Sequence, residues 1–170
     1  MENISQTHIK PSAGQDLKRI AVLFVCHGNI CRSTMAQFVF QDMVNKQGLE
    51  DQFFIDSAAT SREEIGAFPH HGTVKKLTHE GIPVLYHRAK QMTQKDYDEF
   101  DYLIAMDSMN IRNMMRILSG DPEHKVCKLL DFTGEPRDIA DPWYTGNFDL
   151  TFENIKEGCE ALLEDCWRRL

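Results

Sequence analysis

A chain of 170 residues, 42% hydrophobic and 26% charged, can bury one substantial core and has the balance of a globular domain. Its formal net charge of -7 argues against nonspecific nucleic-acid binding, which uses a basic face, so any anion has to be held by a local device. No apolar run approaches the ~20 residues that span a bilayer, and five cysteines without framework-like spacing read as reduced thiols of a cytoplasmic protein, not as a disulfide scaffold.

Residues 1–18 lack the charged start, apolar centre and cleavage site of a signal peptide; with Pro11, Ser12, Gly14 and Gln15 they read as a polar, disordered tail before a single domain over 19–170. The run from Ile20 to Val25 predicts a buried strand, and the loop Cys26-His27-Gly28-Asn29-Ile30-Cys31-Arg32-Ser33 follows it directly. Met35, Ala36, Val39, Phe40, Met43 and Val44 then recur at helical steps, and Gly48 supplies the stop. Phe53 to Ala58 predicts a second strand, His71 to His79 a helix ending before Gly81, and Pro83 to Tyr86 a short extended piece. Tyr102 to Met106 is a third strand, after which Ser108 is placed to cap a helix over Met109 to Leu118. Val126 to Leu130 is the last strand. Phe152, Ile155, Cys159, Leu162, Leu163, Cys166 and Leu170 form one apolar stripe from Thr151 to the C-terminus.

Strands separated by helical segments imply right-handed βαβ units and an α/β fold, a three-layer αβα arrangement with a four-stranded parallel sheet of Rossmann-like type. Ligands of such sheets sit at the strand C-termini. Cys26, Ser57, Met106-Asp107 and Asp141 are therefore expected at one rim.

The loop after the first strand is an anion trap with a nucleophile at its base. Unpaired N–H groups at a helix start, together with the helix dipole, suit a phosphate dianion. The same setting favours a thiolate over a thiol, so Cys26 is expected to be the nucleophile. Arg32 returns on the same side of the loop and offers two parallel N–H donors to two phosphoryl oxygens, which lysine cannot do. Gly28 and Asn29 tolerate positive φ, so successive amides of residues 27–33 can face inward as a nest.

The stretch C-H-G-N-I-C-R-S from Cys26 to Ser33 resembles the signature loop of the low-molecular-weight protein tyrosine phosphatases. Asp141-Pro142-Trp143-Tyr144 resembles the loop that carries that family's general acid, and Asp56-Ser57-Ala58-Ala59, His87-Arg88-Ala89-Lys90-Gln91 and Met106-Asp107 are similar to it as well, so the likeness covers residues 19–170. It implies a phosphotyrosine protein phosphatase I-like fold and hydrolysis of phosphotyrosine through a phosphocysteine on Cys26. Arg32 and the loop from His27 to Ser33 would hold the phosphate, Asp141 would be the acid and base, and neither metal nor cofactor would be needed. The resemblance also assigns Ser33, Ser57 and His87 to hold Asn29 in its turn, and lets Ser33 donate to the Cys26 thiolate. Trp143 and Tyr144 would be the substrate wall; on the opposite wall, where relatives often place an aromatic, an ungapped count from Ser57 reaches Glu63. Thr34 stands where many relatives have proline, and its hydroxyl is expected to satisfy an orphan amide.

Other readings of the same residues differ at identifiable positions. Arsenate reductases of this fold use extra cysteines in a mobile segment, and residues 58 to 125 contain none. Protein arginine phosphatases characteristically carry threonine where Ile30 stands and lack paired aromatics after Asp-Pro. A non-catalytic phosphate-binding module would be expected to lack Cys26, Arg32 or Asp141. His70, His71 and His79 match no closed metal-ligand spacing. Cys31 is close enough in sequence to form a protective disulfide with an oxidised Cys26, whereas Cys127, Cys159 and Cys166 fall on core positions. The expected partner is a phosphotyrosine protein, met by a monomer.

Overall fold

The computed structural model describes residues 18–170, so all of the expected N-terminal tail except Lys18 lies outside the described residues. The chain runs β1 (Ile20–Cys26), α1 (Arg32–Lys46), β2 (Phe53–Ala59), α2 (His71–His79), α3 (Gln94–Glu99), β3 (Tyr102–Ala105), α4 (Ser108–Ile117), β4 (Val126–Lys128), α5 (Pro142–Thr145) and α6 (Phe148–Trp167). Its four strands form one parallel sheet in the order β2-β1-β3-β4.

β1 is apolar at every position because both of its faces are covered. Val22 and Phe24 enter a core shared with Phe40 and Val44 of α1 and with Ile155, Cys159 and Leu162 of α6. Ala21, Leu23 and Val25 enter the opposite core, against Tyr97, Phe100 and Met114. Phe40 meets Phe24 and Phe53 edge to face at 5.7 and 5.6 Å, a favoured aromatic geometry. A Cβ on Gly158 would come within 2.5 Å of Leu129, so α6 can seat against the tight turn Leu129–Phe132 only with glycine there.

This topology positions the site. From β1 the chain passes through α1 to β2 on one side, and the later strands β3 and β4 lie on the other. Progression through the sheet therefore reverses between β1 and β3, and a crevice opens at their C-terminal ends. Cys26 closes β1 at that end, and Asp107 follows β3.

Several boundaries differ from those the sequence predicts, each for a local reason. Residues 83–86 pair with no strand; Val84, Leu85 and Tyr86 are exposed, and among the described residues the one isolated sheet-like bridge is Ala59 with Gln91. Helix α4 is capped by Asp107 and not by Ser108: Asp107 accepts the Asn110 N–H at 2.7 Å while Asn110 Oδ1 accepts the Asp107 N–H at 3.1 Å. A carboxylate also suits the positive end of the helix dipole better than a hydroxyl. The last strand stops at Lys128 because the chain tightens into a 3-10 turn at Leu129. Helix α6 starts ahead of Thr151, at Phe148, because Asn147 caps it through the Leu150 N–H at 3.0 Å; Leu170 lies beyond the helix end and is exposed. The short helices α3 and α5 have too few residues to show a helical period, which hides them from sequence patterning.

Candidate active site

The loop between β1 and α1 carries the site. Asn29 holds a left-handed φ of 58°, which turns neighbouring amides inward, and Cys31, immediately before α1, gives the helix no side-chain cap. The first amides of α1 are thus left for a ligand. Cys26 is buried at the base of this loop, with Sγ 3.1 Å from Ser33 Oγ. Thr34 does not cap an orphan amide; its hydroxyl donates back to the carbonyls of Ile30 and Cys31 at 3.0 and 3.1 Å, which ties down the loop end from the other direction.

Asn29 is fully buried and saturated. Its amide donates to Ser33 Oγ at 2.7 Å and Ser57 Oγ at 2.9 Å, and its carbonyl accepts from His87 Nε2 at 2.8 Å. All three partners expected for the turn are present. Because Asn29 already donates to Ser33 Oγ, the Ser33 proton is free to point at Cys26. Behind this network Ser57 donates to Gln37 Oε1 at 2.5 Å, a support on α1 that had no sequence signal. Burial pushes the His87 pKa below its ordinary 6.5, although Asp56 pulls the other way. Neutral His87 with its proton on Nε2 is the tautomer that the bond to Asn29 requires.

Arg32 is 2% exposed on its side chain and is gripped along one edge. Its Nη1 donates to Asp107 Oδ2 at 2.6 Å and to the Ile139 carbonyl at 2.8 Å, and its Nη2 lies 3.4 Å from Asp141 Oδ2. Burial works against the charge, but neighbouring Cys26 and the Asp107 carboxylate outweigh it and raise the guanidinium pKa. Its Nε is buried without any hydrogen-bond partner. An unpartnered buried donor is costly, so this edge of the fork points to an absent acceptor such as a phosphoryl oxygen. Asp141 caps α5 through the Trp143 N–H at 3.0 Å, which fixes the carboxylate over the same pocket.

One pocket is lined by Trp143 and Tyr144, by Glu63 and Glu64, and by Cys26, His27, Gly28, Ile30 and Cys31 of the loop. Trp143 is 56% and Tyr144 83% exposed, which rules out core packing as the role of either aromatic. His70 backs Trp143, with ring centroids 5.6 Å apart, while its Nδ1 accepts the Gly72 N–H at 3.0 Å and caps α2. Burial and the adjacent His71 lower the His70 pKa, which keeps that acceptor available. Burial and the nearby Cys26 push the Cys31 thiol up to about 12.

The family model for low molecular weight phosphotyrosine protein phosphatase matches residues 21–169. The chain belongs to that family. It is 44% identical over 146 residues to the low molecular weight protein-tyrosine-phosphatase YfkJ of Bacillus subtilis, a match spanning 85% of this chain and 94% of that protein. The YfkJ crystal structure superposes with a TM-score of 0.86 at 42% identity, covering 89% of this chain and 97% of the other. The Drosophila arginine phosphatase structure superposes with a TM-score of 0.76 at 31% identity, covering 85% and 97%.

Within this phosphatase, two participants escape a reading of the sequence alone: Gln37, which supports Ser57, and His70, which backs Trp143. Asp107 is expected at the rim, but its part in orienting Arg32 is not. Gln37 and His70 carry no local pattern that separates them from ordinary helix and loop residues.

Proposed function

We propose that the chain hydrolyses phosphotyrosine in proteins, and small aryl phosphates, by two in-line displacements at the pocket described above. The Cys26 thiolate attacks phosphorus, forming the S–P bond as the P–O bond to the phenol breaks. Asp141 gives its proton to the departing phenolic oxygen. Arg32, through Nε and Nη2, and the amides of residues 27–33 hold the three remaining oxygens as charge builds on them. A water then attacks phosphorus, the S–P bond breaks, Asp141 takes the water proton, and inorganic phosphate leaves with the thiolate restored. No step calls for a metal or organic cofactor.

The observation that carries this reading is the unpartnered Arg32 Nε, buried beside Cys26 while the opposite edge of the same guanidinium is fixed by Asp107 and Ile139. Trp143 and Tyr144 support a phenyl leaving group, because flat exposed faces in the pocket lining can sandwich a ring that is long enough to bring its phosphate to Cys26. A phosphoserine side chain is too short to do this. The family match over residues 21–169 supports a single domain over 19–170, and five free thiols fit a reducing, cytoplasmic setting.

Turnover of para-nitrophenyl phosphate tests the reading directly. Cys26→Ser should abolish it, and Asp141→Ala should lower kcat by roughly a hundredfold or more, the usual contribution of a general acid. Phosphate binding by the wild type without turnover would overturn the enzyme reading. The similarity to the Drosophila arginine phosphatase makes phosphoarginine the competing substrate. Ile30 and the aromatic pair in the pocket lining favour tyrosine, and parallel assays on phosphotyrosine and phosphoarginine peptides decide between them.

A further inference from the structure

We infer that Glu63 and Glu64 form an acidic lip that selects phosphotyrosines flanked by basic residues; this deepens the phosphotyrosine reading and rests on it. The unpartnered Arg32 Nε marks the phosphoryl end of the site independently of the lip. Glu63 lines the same pocket as Cys26 and Asp141. Thr60 N–H donates to the Cys26 carbonyl at 2.9 Å, Ser61 N–H and Oγ donate to the His27 carbonyl at 3.1 and 2.9 Å, and Glu63 Oε2 lies 3.0 Å from His27 Nε2. This segment is therefore tied to the catalytic loop at both backbone and side chain, and the largely exposed Glu63 carboxylate stands in the pocket lining.

Glu64 lies on the same side. A Cβ on Gly28 would sit 3.5 Å from Glu64 Cγ, and the Glu64 charge adds a minor upward push on the Cys31 thiol and partly opposes the lowering of His70. Among the described residues no lysine, arginine or histidine forms an ion pair with it. Cations nearby in sequence are engaged elsewhere: Arg62 on Gln91, Arg88 on the Gly66 carbonyl and the Phe68 face, Lys90 on Asp56. Arg32 already shares its charge with Asp107 and Asp141.

Two carboxylates beside a loop built for a dianion repel the phosphate that the loop attracts. A substrate that brings its own cation to the lip removes that penalty, and an acidic neighbour adds to it. Lysine and arginine also gain against the exposed faces of Trp143 and Tyr144, which line the same pocket. The net charge of -7 steers encounter in the same direction.

The test uses two phosphotyrosine peptides of equal length, one with lysine or arginine on both sides of the phosphotyrosine and one with aspartate or glutamate. For the wild type at low salt the ratio of kcat/KM, basic over acidic, should be about tenfold and should fall as salt rises. In the E63Q/E64Q double variant the ratio should shrink to about two- to threefold at most. A ratio within one variant does not depend on how much of the protein is folded. A wild-type ratio near one, or a tenfold ratio unchanged in the double variant, overturns the selectivity. Failure of the wild type to turn over para-nitrophenyl phosphate would instead overturn the hydrolase reading beneath it.

Discussion

Arg32 can receive a phosphoryl group only while Asp107 and the Ile139 carbonyl keep its Nη1 turned away from the pocket. Asp107→Asn retains a good cap for α4 but gives up a charge-assisted bond of about 1.5–3 kcal/mol to the buried guanidinium, so kcat/KM for aryl phosphates should fall roughly tenfold or more and Tm should drop by several degrees. Asn29 is the complementary case. In Asn29→Ala the left-handed φ of 58° becomes costly and His87 and Ser57 lose a partner, so urea denaturation should show a loss of about 2–4 kcal/mol along with impaired turnover. At this scale the sequence was informative where one residue type does one job: Cys26 and Asp141 line one pocket, Arg32 reaches Asp141 from behind the loop, and Ser33, Ser57 and His87 surround Asn29. It was silent on Asp107 as a partner of Arg32, because nothing local records a contact made across 75 residues.

Helices and strands with strong signals at their ends were legible to within a few residues. α2 runs from His71 to His79 as its spacing and Gly81 indicate, and β2 needed only one more residue than predicted. Where an end is set by a side chain reaching into the backbone, as with Asp107 at α4 and Asn147 at α6, the residue that looked best in isolation lost to a neighbour with better geometry. The seat of α6 offers a test of packing. Gly158→Ala drives a methyl group into Leu129, whose side chain lies 2.5 Å from the new Cβ, and overpacking of this kind costs about 1–3 kcal/mol. Tm should drop by roughly 2–10 °C, with kcat at room temperature preserved in the folded fraction.

Alternating strands and helices imply a parallel sheet whose strand C-termini share one rim, which is why the rim was legible in the sequence, whereas the order β2-β1-β3-β4 is set by packing between elements far apart in the chain. Stability of the whole fold carries the mark of buried His87. Burial holds its folded pKa below 6.5, so below that pH the unfolded chain takes up a proton that the native state resists. Above it both states are neutral and His87 adds no pH dependence; as pH falls through 6.5 the native state loses ground until folded His87 is protonated too. The urea midpoint should therefore be lower at pH 5.5 than at pH 7.5, and His87→Gln should remove part of that slope.

Arg32 and Asp141 are 109 residues apart, and α6, which follows Asp141 and α5, packs chiefly against α1, the helix that begins with Arg32. The two halves of the catalytic apparatus are thus joined by α6. A chain in which α6 has not yet docked on α1 has its cysteine loop but not the acid beside it. In refolding from urea, recovery of para-nitrophenyl phosphate turnover should lag behind recovery of helical circular dichroism, which would make activity a clock for the final docking of α6.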